Sequence, residues 1–216
     1  MDVRPILLSF QTAIIAILFT FVLGTGVAYI VFRLKNRKLK ILLNSLFTLP
    51  LVLPPTVFGF FLLTIFGVQQ PVGQFLLDFF AIQVVFSWPA TVIAAVAVSF
   101  PLMYRSALTA FEQMDSELLA VAQTLGFSES RYFRKIALPL SMNGLLAGGV
   151  LAFARGLGEF GATTMLAGNI AGKTRTLPLA IYSAVASGDW RLANQYVVIM
   201  LLPVSYTHLT LPTILL

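Results

Sequence analysis

The chain has 216 residues, of which 58% are apolar, 10% charged and none cysteine. Soluble domains carry about 25% charged residues, so this chain has too few to cover a water-facing surface. A mean hydropathy of +0.92 says the same. The absence of cysteine excludes a disulfide framework and thiolate metal sites, and one histidine, His208, cannot build a zinc site alone. Metal: none, and cofactors: none, are the expectations. The formal net charge is +6, but in so apolar a chain the placement of Lys and Arg reports orientation rather than nucleic-acid binding. The length suits one bundle of about four to six membrane helices.

Ile6 to Phe32 holds no charged residue and is long enough to span a membrane. A signal peptide would place its basic residues before the apolar run; here Arg33, Lys35, Arg37, Lys38 and Lys40 follow it. By the positive-inside rule this loop is cytoplasmic and the N-terminus lies outside. Ile41 to Phe66 predicts a second span, interrupted by Pro50, Pro54 and Pro55. Two readings of the prolines are open, a packing kink and a hinge or broken helix lining a pathway. Val68 to Trp88 reads as an outside loop with a short re-entrant or interfacial piece. Pro89 to Tyr104 returns inward, short of a full span, with Arg105 at the inner boundary.

Ser106 to Pro139 is the only long polar stretch and holds half of the acids, so it is read as cytoplasmic. Asp115 or Ser116 can cap a helix whose Leu118, Val121, Ala122 and Leu125 recur at i, i+3, i+4 and i+7, with Glu117 on the other face. Gly126 ends it. Ser128 can cap a second short helix carrying Arg131, Arg134 and Lys135 that stops before Pro139. The unit is a helical hairpin between two spans, either a docking surface or an amphipathic element resting on headgroups.

At this point the residues resemble a known family. Gly126, nine residues, then Ile136-Ala137-Leu138-Pro139 is similar to the cytoplasmic loop of permease subunits of binding-protein-dependent ABC importers, whose pattern is E-A-A, three residues, G, nine residues, I-x-L-P. The chain departs from it where the family's glutamate falls on Ala120 and its alanines on Val121 and Ala122; the nearest acid is Glu117. In the family this loop couples to the ATPase. The resemblance therefore implies coupling roles for Glu117, Leu118, Val121, Ala122, Leu125, Gly126, Ile136, Leu138 and Pro139.

Leu140 to Met165 predicts an outward span rich in glycine, which lets helices approach closely where lipid offers no hydrophobic drive. Arg155 and Glu159, four apart, share a face and are expected to pair, because a lone charge at the bilayer centre costs about 3 kcal/mol. A structural pair, a border of an anion route and a position inside a dimer interface are all open. Phe153-Ala154-Arg155-Gly156-Leu157-Gly158-Glu159-Phe160-Gly161-Ala162-Thr163, with Asn169-Ile170, Thr174-Arg175-Thr176-Leu177-Pro178 and Leu49-Pro50-Leu51-Val52-Leu53-Pro54-Pro55, is similar to molybdate permeases over about residues 6 to 203. Sulfate permeases share much of this pattern.

Ala167 to Thr174 fits a relaxed phosphate-loop pattern, but it follows a membrane helix rather than a strand and faces away from the cytoplasm, so ATP binding is not expected there. Lys173 and Arg175 read as an outer rim or as solvated loop charges. Leu177 to Ser187 is too short to span. Leu192 begins a fifth span expected to stop after Pro203. Ser205 to Thr213 lacks both apolar density and a basic tail, so residues 204–216 are read as a non-native tail after a permease domain of 1–203 whose coupling hairpin is 106–139. No catalytic motif is present.

The resemblance implies an all-α polytopic membrane protein, a type I ABC importer permease-like helical bundle of about five spans. Its implied function is ATP-driven molybdate import by alternating access. Sulfate or thiosulfate and tungstate are alternatives within the family. The implied partners are a second copy in a homodimer, cytoplasmic ABC ATPase subunits, an extracytoplasmic oxyanion-binding protein and membrane lipid, with no nucleic acid. The setting is a bacterial or archaeal plasma membrane, the inner membrane in a Gram-negative cell. A channel or secondary transporter is the alternative from another class; it needs no ATPase dock, and the polar hairpin argues against it.

Overall fold

The structure, a computed structural model, describes residues 1–115 and 117–215, without the side chains of 204 and 206–215. Among the described residues all regular structure is helical. Helix α1 (Arg4–Arg33) has 30 residues, about 45 Å at 1.5 Å per residue and longer than the ~30 Å hydrocarbon layer. Its faces reverse those of a soluble amphipathic helix. Ser9, Thr12, Ala13, Ala16, Thr20, Gly24 and Ala28 are buried, while Leu7, Ile14, Leu18 and Val22 are exposed. Lipid tails are as apolar as leucine, so packing follows small size and hydrogen bonding instead of hydrophobicity.

The small face of α1 lies on α5 (Trp88–Glu112). Thr12 and Thr91 hydroxyls bond at 3.0 Å and Thr20 and Ser99 at 3.1 Å, both pairs 79 residues apart. That constant offset makes the two helices parallel. Helix α9 (Met142–Leu157) packs on α5 in the opposite sense, Gly144 facing Ala110, Gly148 facing Ser106 and Gly156 facing Ala95. Helix α5 extends beyond the Pro89–Tyr104 segment, carrying Pro101 within it and burying Ala107, Leu108, Ala110 and Phe111. The hairpin expected at 106–139 thus begins only after Glu112. Polar residues on the open face of α5 disguise seven further helical residues as loop.

Two expected spans are broken, the first at the prolines that left a kink or a broken helix open. Ile41 to Phe66 forms α2 (Arg37–Val52) and α3 (Pro55–Phe66), bent by 113°. Pro50 sits inside α2; the break falls at Leu53 and Pro54, both extended. A residue preceding proline is pushed out of the helical region, and two adjacent prolines remove two donors in succession. Leu140 to Met165 becomes α9 and α10 (Gly161–Ala167), parted at Gly158 to Phe160. Between them in sequence lies the short helix α4 (Pro71–Phe80); after α10, α11 (Leu177–Ala186) is the short apolar segment.

Helix α12 (Trp190–Leu215) passes both Pro203 and Pro212. This corrects the expectation that it stops after Pro203. One proline removes one backbone hydrogen bond, whereas ending the helix in an apolar stretch would leave several groups unpaired. His208 contributes no described side chain, and Leu216 lies outside the described residues. By length and hydropathy α1 and α5 can each cross a membrane, and α2 with α3 pass together as a broken pair.

Candidate functional site

Two regions gather the residues singled out by sequence. The first is the hairpin, α6 (Glu117–Thr124), α7 (Glu129–Tyr132), a wide turn Phe133–Ala137 and α8 (Leu138–Leu140). Ser116 as a cap lies outside the described residues; the Asp115 carboxylate accepts from Glu117 N–H at 2.9 Å. Gly126 ends α6 at φ +75°, where a Cβ would be strained. Its N–H donates to Gln123 O and that of Phe127 to Ala122 O, each at 3.0 Å, so the last carbonyls of α6 are capped. Ser128 Oγ accepts from Arg131 N–H. The second helix does not stop before Pro139. The wide turn, with its looser bonding, lets the coil run through Pro139 to Leu140.

The predicted apolar stripe divides. Ala122 is buried and Leu118 half-buried, but Val121 is 53% and Leu125 70% exposed. Ile136 and Leu138 are partly buried against the core, and Glu117 and Pro139 are exposed. The inward side is held by an aromatic cluster in which Tyr29, Phe32, Phe111 and Phe133 have ring centroids 4.5 to 6.4 Å apart. Arg33 reaches Glu129 at 2.5 Å and Lys40 reaches Glu112 at 2.7 Å. The basic loop after α1 and the hairpin therefore share one end of the bundle. Burial pushes the Tyr132 phenol above its usual range, with Arg33 opposing.

The second region is the crossing of the two breaks. A Cβ on Gly59 would lie 2.7 Å from Ala162 Cα, and one on Gly161 2.8 Å from Pro55 Cβ. Only glycine permits backbones this close. Pro55, just after the break, thus meets the start of α10 at Gly161, while Pro50 lies inside α2. Across that gap Glu159 acts as a splint. One carboxylate oxygen accepts from Arg155 at 2.6 Å and the other from Ala162 N–H at 2.7 Å, tying the end of α9 to the start of α10. The Glu159 side chain is 2% exposed and that of Arg155 32%, so the carboxylate is held and part of the guanidinium stays free. The splint and the backbone crossing escaped the sequence; the G-E-F-G-A string carried a signal only for the ion pair.

The phosphate-loop pattern has no phosphate geometry. Its loop follows α10, and Thr174, fully buried, turns its hydroxyl into the loop, accepting from Ile170 N–H at 3.0 Å. Arg175 donates to Asn169 Oδ1 at 2.8 Å.

Binding-protein-dependent transport system inner membrane components match residues 20–216. The chain belongs to this family. It is 46% identical over 194 residues to the putative molybdenum transport system permease protein YvgM of Bacillus subtilis, covering 90% of this chain and 85% of that one. It is 44% identical to molybdenum transport system permease proteins ModB of Haemophilus influenzae (86% and 80% covered) and Escherichia coli K12 (84% and 79%). Its fold is shared with a chain of the MetNI methionine ABC transporter in inward-facing conformations, TM-score 0.68 at 14% identity, covering 98% and 95%. A bacterial ABC transporter importing the polysaccharide alginate gives 0.71 at 14% identity, covering 95% and 78%. The fold is that of an ABC importer permease, and the chain is a transport permease subunit.

Proposed function

We propose that this chain is the translocation subunit of an ATP-driven molybdate importer, working as a homodimer with two cytoplasmic ATPase subunits and an extracytoplasmic binding protein. The observation that carries the coupling half of this reading is the hairpin, which exposes Val121 and Leu125 outward while its inner side is fastened to α1 and α5. A partner gripping those two side chains moves both long helices with the hairpin. The anion follows from the molybdenum named for the relatives, at 44% to 46% identity. Hydrolysis belongs to the partner; this subunit alternates access because ATP binding favours one arrangement over another.

The crossing of broken helices is the joint in this scheme. Broken helices tolerate irregular backbone at membrane depth only where protein or a water-filled cavity satisfies it, and they recur at transporter substrate sites. Arg155, with donors beyond its bond to Glu159, is placed to border an anion route.

The test is the complex in liposomes, with ATPase activity and labelled molybdate uptake measured as binding protein loaded with molybdate, tungstate or sulfate is added in turn. Stimulation and uptake with molybdate support the reading; stimulation by sulfate alone moves it to the sulfate alternative. Leu125→Asp places a charge on an exposed position, so insertion stays intact while ATPase copurification or coupled uptake is lost. Normal uptake in that variant removes the hairpin from the mechanism.

A further inference from the structure

Beside the aromatic core, α5 and α9 leave an open groove formed by two adjoining cavities of about 380 Å³ each, which share Ala110, Gln113 and Gly144. Its floor is small because Gly144 and Gly148 sit directly against Ala110 and Ser106. One wall is a polar row on α5, with Arg105, Thr109 and Gln113 at i, i+4 and i+8 and Ser106 beside them. The other wall carries Asn143 at the hairpin end and Leu151 at the far end. Among the described residues Arg105 has no ion-pair partner. The single carboxylate in the groove is Asp115, at the mouth where the hairpin begins.

This pattern differs from the outward faces of α1 and α3, which carry large apolar side chains. A row of hydroxyl, amide and guanidinium groups running inward from the boundary at Arg105 meets water and can meet a polar ligand. Its donors outnumber its charges, and its one full positive charge, on the exposed Arg105, stands at the opposite end of the row from Asp115. A guanidinium among neutral donors attracts anions locally, and donors of this kind replace the hydration shell of a tetrahedral oxyanion.

We propose that the α5–α9 groove is the inner half of the anion route, with Arg105, Ser106, Thr109, Gln113 and Asn143 as transient oxyanion contacts. This rests on the reading of the chain as an oxyanion importer and adds the residues of its exit path. Weak, successive contacts suit passage rather than storage, since conduction needs entry to be favourable and departure easy. Dissolved oxyanion and lipid phosphate offer the same chemistry, so the test must separate them.

The chain has no cysteine, so Thr109→Cys in the otherwise unaltered complex supplies one thiol in the permease; a cysteine-free ATPase keeps it unique. Its reaction with anionic and cationic methanethiosulfonates is followed in phosphatidylcholine liposomes. The anionic reagent should react about tenfold faster than the cationic one, because Arg105 stands one turn from the thiol while Asp115 lies beyond Gln113 at the mouth. Sodium molybdate should slow it, and adding Arg105→Met should abolish the preference. No reaction with either reagent, or equal rates unaffected by Arg105→Met, overturns the route. Slowing by phosphatidylglycerol but not by molybdate assigns the groove to lipid and also overturns it. A complex that imports no oxyanion while its thiol still prefers the anionic reagent, with molybdate protecting, refutes the importer reading and leaves the groove an oxyanion site.

Discussion

Two ion pairs of nearly equal length stand at two ends of this molecule and do different work. Arg33–Glu129 is 2.5 Å and Arg155–Glu159 is 2.6 Å, yet the Glu129 side chain is 65% exposed and that of Glu159 2%. At the hairpin end, large aromatic rings do the holding and the ion pair is an accessory in solvent. At the crossing of broken helices the backbones approach through Gly59 and Gly161 against Ala162, Met165 and Pro55, and the buried carboxylate bridges a gap between helices. In the proposed function the hairpin end moves as one body with α1 and α5, and the crossing is the joint.

The comparison breaks most readily at Arg155. Arg155→Met leaves a buried carboxylate without its cation, and removing one member of a buried pair costs about 3 kcal/mol or more. Thermal unfolding in detergent should fall sharply. Glu159→Gln added to it should recover part of the loss, because the amide oxygen still accepts from Ala162 N–H. A double variant no better than the single one shows that Arg155 acts apart from the splint, as a residue facing the anion would.

Gly59→Ala comes next. The added methyl meets the backbone of Ala162, which cannot rotate away, and overpacking of this kind costs about 2 kcal/mol. Lower thermal stability together with slowed uptake is the expected result. Unchanged stability would show that the crossing yields freely and is no joint. The smallest effect is expected for Glu129→Gln. Exposed pairs contribute at most about 1 kcal/mol, so stability should hardly move and high salt should mimic the substitution. A loss matching that of Arg155→Met would erase the distinction between the two ends.

The sequence made the hairpin legible because its signals are local. Gly126 needs positive φ, Ser128 caps within three residues, and the polar composition stands out against apolar spans. Its outward face was read only in part: Leu118, Val121, Ala122 and Leu125 share a stripe, but which of them points to the core depends on where Tyr29, Phe111 and Phe133 come to lie. The Arg155–Glu159 pair was legible from its spacing. The role of Glu159 as a splint was not, since its second bond goes to a helix start that the sequence runs together with α9.

Composition alone determined that this chain belongs in a membrane, because about one charged residue in ten leaves no way to cover a surface in water. The unbroken apolar run from Ile6 to Phe32 determined that helices rather than barrel strands, which need only about ten alternating residues, are the spanning elements. Only the tertiary structure decided where those helices break and which breaks meet. Pro54 with Pro55 and Gly158 with Gly161 are each weak points of their own segments, and nothing local brings them together. That juxtaposition comes from α10 lying along α3, a long-range contact chosen by backbone shape where hydrophobicity cannot discriminate.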